Sequence, residues 1–344
     1  MRWLVVVALL LATPAALAAT DDTLSDTDHT VLADPRFQAP LGWKWDYFTN
    51  ADGAKLRYGG SSPASPRGII VLLPGFGDTA ERFFETAHGL IDQNYAVWIM
   101  DWRGQGGSER YIAANPQKPF SLGFEHDVAD LIQFVSKIVP NPDHLPLFVS
   151  GESMGGLLGF RAVHDRPDLF TAAAFSSPAF AFHTGAFPKP VAIAITWMAM
   201  QLGKAEDYAL TQHDWVYEPN PGGEKDRDSH DHDRALFWYA LYRAHPELRT
   251  GGTTYGFLSA FFHASTVVLA PGYASAMKTP VLIGQAPDDA VADAPTMATI
   301  CAETPSCKLL PIPGARHTLF NESDAYRRPW MTALTEFFGS YPRP

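Results

Sequence analysis

The stretch FVSGESMGGLLGF, residues 148–160, decides how the rest of the chain is read. An apolar, β-branched run stops at Gly151, Ser153 stands between Gly151 and Gly155, and small residues then open a helical pattern. G-x-S-x-G alone matches any glycine-rich bend. With a strand before it and a helix after it, the pattern becomes a sharp elbow that raises a serine hydroxyl clear of a sheet. The spacing predicts both, a strand over 147–150 and a helix over 154–164. Ser153 is therefore read as a nucleophile, with an ordinary turn serine as the alternative. The helix N-terminus would also aim amide N–H groups at an anion formed beside it.

Outward from the elbow, continuous apolar runs at 69–73, 95–100, 170–175, 280–283 and 308–312 read as strands. Helical patterns cover 79–94, 124–139 and 323–338. Unbroken rather than alternating apolar strands, separated by helices, mean a mostly parallel sheet covered on both faces. GWKWDYFTNADGAKLRYGG, residues 42–60, reads as a hairpin turning at Asp52-Gly53. The rhythm fails over 177–275, where helix candidates at 191–202 and 234–244 flank a charged loop. That segment reads as a helical cap inserted into one α/β core, 41–176 with 276–344.

The 344 residues are 46% hydrophobic with a formal net charge of −11 and no basic run, so no face for nucleic acid is expected. Arg2, the apolar run 4–11 and Ala16-Leu17-Ala18 read as an export signal over 1–18, the alternative being an uncleaved anchor. Residues 19–40 read as a mobile lead-in. The protein is expected in a periplasm or medium. The two cysteines, Cys301 and Cys307, then suggest a small-loop disulfide, with two thiols as the alternative. No metal site is expected: His230 and His232, in DSHDHD, read as an exposed loop.

A serine hydroxyl is a poor nucleophile near neutral pH and needs a base, which in turn needs an orienting acid. PVLIGQAPDDAVAD, 280–293, places Asp288 and Asp289 just after a strand; Asp289 is preferred, with Asp293 third. LLPIPGARHTLFNE, 309–322, puts His317 on the loop after the next strand. An oxyanion would take the amide of Met154 and one from VLLPGFGDTAERF, 71–83, where Phe76 lies between two glycines. In the cap, Phe180, Phe182, Phe187, Val191, Ile195, Trp197 and Met198 offer surface for an acyl chain, or pack on the core. Arg243 or Arg249 could meet a phosphate.

PGFGDTAERFFETAHGL, MDWRGQGGSER, GESMGG and PGARHTLFNESDAYR, with the 280–293 stretch and the cap segment DSHDHDRALFWYALYRAHPELRTGGTTYGFL, together carry a resemblance. From residue 42 onward the chain resembles the bacterial lysophospholipases of the serine α/β-hydrolase superfamily, with monoacylglycerol lipases as neighbours. The resemblance implies an α/β-hydrolase fold with an eight-stranded sheet and a helical cap. It also implies Ser153, Asp289 and His317 as the triad, Phe76 and Met154 as oxyanion donors, and no cofactor. Pro74 and Glu152 stand where many monoacylglycerol lipases have histidine; Glu152 would shift the pH optimum or headgroup preference. The expected activity is fatty-acid release from a single-chain lipid, with transient membrane-surface contact. A broad-specificity exported carboxylesterase is the alternative, and a silent binding fold the third reading.

Overall fold

The computed structural model describes residues 23–341 apart from Ala186 and Pro219, so the expected signal at 1–18 lies outside the described residues. Eight strands form one sheet: β1 (Lys44–Thr49), β2 (Lys55–Ser61), β3 (Gly68–Leu73), β4 (Tyr95–Met100), β5 (Leu147–Glu152), β6 (Ala172–Ser176), β7 (Val281–Gln285) and β8 (Cys307–Pro311). Their order is β1-β2-β4-β3-β5-β6-β7-β8. The hairpin β1–β2 is antiparallel, as is β2 against β4; the remaining pairs are parallel. Its turn is set by Asn50, whose Oδ1 accepts the amides of Asp52 and Ala54, and by Gly53 at φ +89°.

Every residue of β3 and β5 is buried, which is why these strands read as unbroken apolar runs. Ile69, Val71 and Leu73 pack into one layer with α3 (Phe124–Gln133) and α4 (Met154–Asp165). Ile70 and Leu72 point to the other face, into a layer with α2 (Phe84–Asp92) and α9 (Asp324–Gly339) that contains Leu90, Trp330 and Phe338.

Between β6 and β7 lie α5 (Lys189–Gln201), α6 (His232–Ala244) and α7 (Tyr255–Val268). The first two match the expected cap helices. The third was not anticipated: its Phe257 and Phe261 pack edge-on against Phe124 of α3, at 5.2 and 5.5 Å, inside the main core. The last part of the 177–275 insertion is thus a layer of the core, and only what precedes α7 overhangs it. α8 (Ala294–Glu303) is tied to the start of β8 by the Cys301–Cys307 disulfide. Among the described residues no helix is long and apolar enough to cross a membrane.

The lead-in differs from expectation over 26–37. Ser25 and Asp28 form a reciprocal capping box that starts α1 (Asp26–Leu32), so the Asp and Thr content that suggested mobility supplies a helix cap. Val31 and Phe37 are buried against α6, Phe37 stacking on Phe237 at 4.5 Å, and buried Asp28 pairs with Arg243. Phe37→Ala is expected to cost about 3 kcal/mol of unfolding free energy, the range for emptying a buried phenylalanine site. Urea titration measures this, and a loss below about 0.5 kcal/mol would show that the segment is dispensable to the fold.

Candidate active site

Ser153 sits between β5 and α4 with φ +54° and ψ −116°, a backbone conformation that costs a non-glycine residue about 1–3 kcal/mol. The surroundings enforce it. Ser153 N donates to Ser176 O at 3.0 Å, and Ser153 O accepts from the amides of Leu157 and Ala179. A Cβ on Gly155 would lie 2.3 Å from Leu73 O, and one on Gly151 would lie 2.5 Å from Gly155 O. The glycines of the sequence pattern therefore let α4 start directly against the ends of β3 and β5.

The side chains expected to act together are brought together. Asp289, on the loop after β7, and His317, on the loop after β8, are buried beside Ser153. His317 Nδ1 is 2.7 Å from Asp289 Oδ2 and Nε2 is 2.8 Å from Ser153 Oγ. A carboxylate only accepts, so Nδ1 carries the proton and Nε2 is free to accept from the serine hydroxyl. The other oxygen of Asp289 accepts the amides of Val291 and Ala292, at 2.7 and 2.9 Å. Asp288 points to solvent and Asp293 caps α8 through the Thr296 amide, which leaves Asp289 alone at the imidazole.

Burial alone would raise the Asp289 pKa, but the bond to His317 and the imidazole's charge outweigh it and hold the carboxyl below its usual value. Burial would likewise lower that of His317; Asp289, and after it Asp228, raise it instead. The imidazolium that would form on accepting a serine proton is therefore favoured here.

The amides of Met154 and Phe76 have no acceptor among the described residues, in keeping with two donors held ready for an anion. Residues the sequence did not single out hold the Phe76 loop. Gly77 N donates to Gln105 Oε1 at 2.8 Å, while Gly77 O accepts from Tyr242 Oη at 2.6 Å and Trp238 Nε1 at 3.2 Å, both on cap helix α6. Gln105 lies in MDWRGQGGSER and Trp238 and Tyr242 in the cap segment, so these stretches are visible in the sequence but the partners of Gly77 are not.

A cavity of about 460 Å³ opens over Ser153 and His317, lined by Asp78, Arg82, Glu152, Asp214, Asp228 and Trp238 among others. A second, about 440 Å³, shares Phe76, Thr211, Gln212, Arg227 and Val291 with it and continues under α5 between Phe182, Phe187, Ile195 and Leu258. The first is the more charged, polar arm and the second the arm richer in aromatic and aliphatic side chains, the apolar arm, although both expose more apolar than polar surface; they join at Phe76 and Val291.

Of the four expected substrate contacts, one lines the cavity and three do not. Phe182 lines the apolar arm, packed on Phe261 at 4.6 Å. Phe180 does not: it is wholly buried against Phe160 at 5.0 Å, because the chain leaving β6 runs back into the core. Trp197 lies on the solvent side of α5, 63% exposed and away from both arms, and Met198 lines a separate external groove. Neither arginine suggested for a phosphate reaches the cavity. Arg243 is paired with Asp28, and Arg249 donates to Tyr242 O and covers the Trp215 ring. His230 is held by Glu322, and His232 Nδ1 lies 2.8 Å from Pro221 O.

This serine–imidazole–carboxylate chain at the C-terminal edge of a mostly parallel sheet defines a serine hydrolase of the α/β-hydrolase superfamily. Residues 64–324 match the family Hydrolase_4, described as serine aminopeptidase, S33, and the chain belongs to it. It is similar to lysophospholipase L2 of Escherichia coli strain K12, with 25% identity over 304 residues, 86% of this chain and 88% of that one. Similarity to the monoacylglycerol lipase of Mycolicibacterium smegmatis is 26% over 282 residues, covering 80% and 91%. The fold matches a soluble variant of monoglyceride lipase from Saccharomyces cerevisiae, solved with a substrate analog. The TM-score is 0.70 and the identity 21%, over 89% of this chain and 97% of that one.

Glu152, the residue before the nucleophile, is wholly buried. Its Oε2 accepts the Phe320 amide at 3.2 Å, and its Oε1 has no partner. Burial, with Asp78 nearby, pushes its pKa up to about 8 against the opposing pull of Arg82 and His317. The folded chain thus keeps a proton that the unfolded chain releases above the ordinary value of 4.5, so this group lowers stability as pH rises from 4.5 to about 8. Glu152→Gln should remove that slope. In urea unfolding across this range the variant is expected to gain on the wild type toward alkaline pH, and a pH-independent gap would refute the assignment.

Proposed function

We propose that the protein hydrolyses the carboxylic ester of a single-chain lipid, lysophospholipid or monoacylglycerol, and releases the fatty acid through an acyl-enzyme. The observation that carries this is that the cavity over Ser153, which holds most of the charged side chains, joins at Phe76 and Val291 a second one richer in aromatic and aliphatic side chains, the first suited to a polar alcohol and the second to an acyl chain. The names of the relatives, lysophospholipase and monoacylglycerol lipase, point the same way.

In this mechanism His317 Nε2 takes the Ser153 proton as Oγ attacks the ester carbonyl. The amides of Phe76 and Met154 receive the oxyanion; such a donor is worth roughly 3–4 kcal/mol of transition-state stabilisation. His317 then protonates the leaving alcohol. Water, deprotonated by the same imidazole, releases the acid and restores the serine, while Asp289 holds the ring and stabilises its charged form.

Two further readings belong to this proposal. Export is supported by the pattern at 1–18 and by the Cys301–Cys307 pairing. Contact with a lipid surface is supported by α5, where Val191, Ile193, Trp197 and Met198 are exposed and no charge falls between Lys189 and Lys204.

Release of fatty acid from lysophosphatidylcholine, a monoacylglycerol of the same chain and a short-chain ester tests the activity. Both long-chain lipids should be preferred by kcat/KM, and Ser153→Ala should lower kcat by about 10⁴-fold or more. Equal or better turnover of the short ester would replace this reading by a broad-specificity exported carboxylesterase. Trp197→Ser is expected to slow hydrolysis of vesicle-bound substrate while leaving the short soluble ester unchanged; parallel losses on both would remove the lipid-surface role.

A further inference from the structure

We infer that Arg227 binds the phosphodiester of a lysophospholipid and so separates that substrate from a monoacylglycerol of the same acyl chain. The inference rests on the proposed single-chain lipid esterase activity and specifies its headgroup.

Arg227 is one of the few residues that line both arms of the cavity. Its position is held by the catalytic loop. Arg227 O accepts from the His317 amide at 3.4 Å, and the next carbonyl, that of Asp228, accepts from the Thr318 amide at 2.9 Å and from Thr318 Oγ1 at 2.8 Å. The guanidinium therefore hangs from a strand of chain laced to the imidazole loop, at the place where acyl chain and headgroup would part.

Its charge is uncommitted. Among the described residues the Arg227 guanidinium has no hydrogen-bond acceptor and no carboxylate partner, although it stands in the acidic run Asp226-Arg227-Asp228. The neighbouring arginines all have partners: Arg82 pairs with Asp78, Arg234 with Glu85, Asp231 and Asp324, and Arg316 donates to the carbonyls of Gly223 and Ser229. The flanking acids, with Glu218 and Glu224, line a further cavity that Arg227 also borders, but none pairs with it. Asp226 accepts the amides of Gly222, Asp228 and Ser229, and Asp228 faces His317 and Arg82.

A lysophospholipid differs from a monoacylglycerol by one phosphodiester on the glycerol. With the acyl chain in the apolar arm and the ester carbonyl at Ser153, the glycerol lies where the arms join, within the region that Arg227 lines. The planar guanidinium fork matches two phosphate oxygens and stays charged at all working pH values. The acids of the polar arm, Asp78, Asp214 and Asp228, make a zwitterionic headgroup the best probe, since its ammonium tolerates them.

The test uses the full chain with Arg227→Gln and Arg227→Lys. Lysophosphatidylcholine and the matching monoacylglycerol are supplied as monomers, so that surface binding does not enter. Arg227→Gln is expected to lower kcat/KM for lysophosphatidylcholine about tenfold or more and to change the monoacylglycerol by less than about twofold, with lysine restoring part of the loss. Glycerophosphocholine should inhibit the wild type and lose that effect in Arg227→Gln, and inorganic phosphate should not compete. Equal losses on both lipids, no loss on either, or competition by inorganic phosphate as strong as by glycerophosphocholine would overturn the role. A wild type that cleaves monoacylglycerol and not lysophosphatidylcholine overturns the Arg227 assignment and leaves the lipase reading standing. Turnover of short esters alone overturns the lipase reading itself.

Discussion

The structure depends on one close approach, that of the first turn of α4 to the ends of β3 and β5. Hydrogens in place of side chains at Gly151, Gly155 and Gly156 allow it, since added Cβ atoms would collide with the carbonyls of Leu73 and Pro74, the Gly155 backbone and Pro178. Once the helix starts there, Ser153 is forced to a positive φ, and the unbonded amide of Met154 opens the helix immediately after the nucleophile. The strain is local and is carried by rigid neighbours: two buried strands on one side and the packed body of α4 on the other.

The second constraint is desolvation. Asp289 is stable as a charge because three donors share its two oxygens. Behind the imidazole, the Asp78–Arg82 pair is also buried and cancels internally. Glu152 has one good donor for two oxygens, so the protein lowers the cost of burying it by holding its proton rather than by pairing it.

Much of this was legible in the sequence where local pattern and chemistry coincide. The elbow at 151–155, the Asp52-Gly53 hairpin and the strand-then-loop settings of Asp289 and His317 are short-range features, and the structure reproduces their geometry. Contacts decided by tertiary packing were not legible. Phe180 and Phe182 look equivalent in sequence, yet one faces Phe160 in the core and the other the apolar arm. Arg227, Arg243 and Arg249 are likewise indistinguishable by type; only the positions of Asp28, Tyr242 and Trp215 reveal that two of them are engaged. The α1 segment is not legible because the Asp, Thr and Pro that suggest mobility accompany a Ser–Asp helix cap, and the deciding factor is whether Val31 and Phe37 find α6.

The two sides of the cap are held by different physics. On the polar side, Arg234 bridges Glu85, Asp231 and Asp324, Glu322 receives His230 and the Arg316 amide, and Trp238 and Tyr242 bind the loop of Phe76. Displacing that side would strip buried charges of their partners and disturb the oxyanion loop and the His317 loop together. On the apolar side α5 buries only Thr196 and Ala199 and presents its larger side chains to solvent or to the apolar arm. It is held mainly by α7, through a small apolar cluster that includes Ile195, Ala199, Tyr255 and Leu258. The cap therefore has two unlike sides: a charged wall tied to the loops of Phe76 and His317, and a helix packed on α7 whose larger side chains face solvent or the apolar arm.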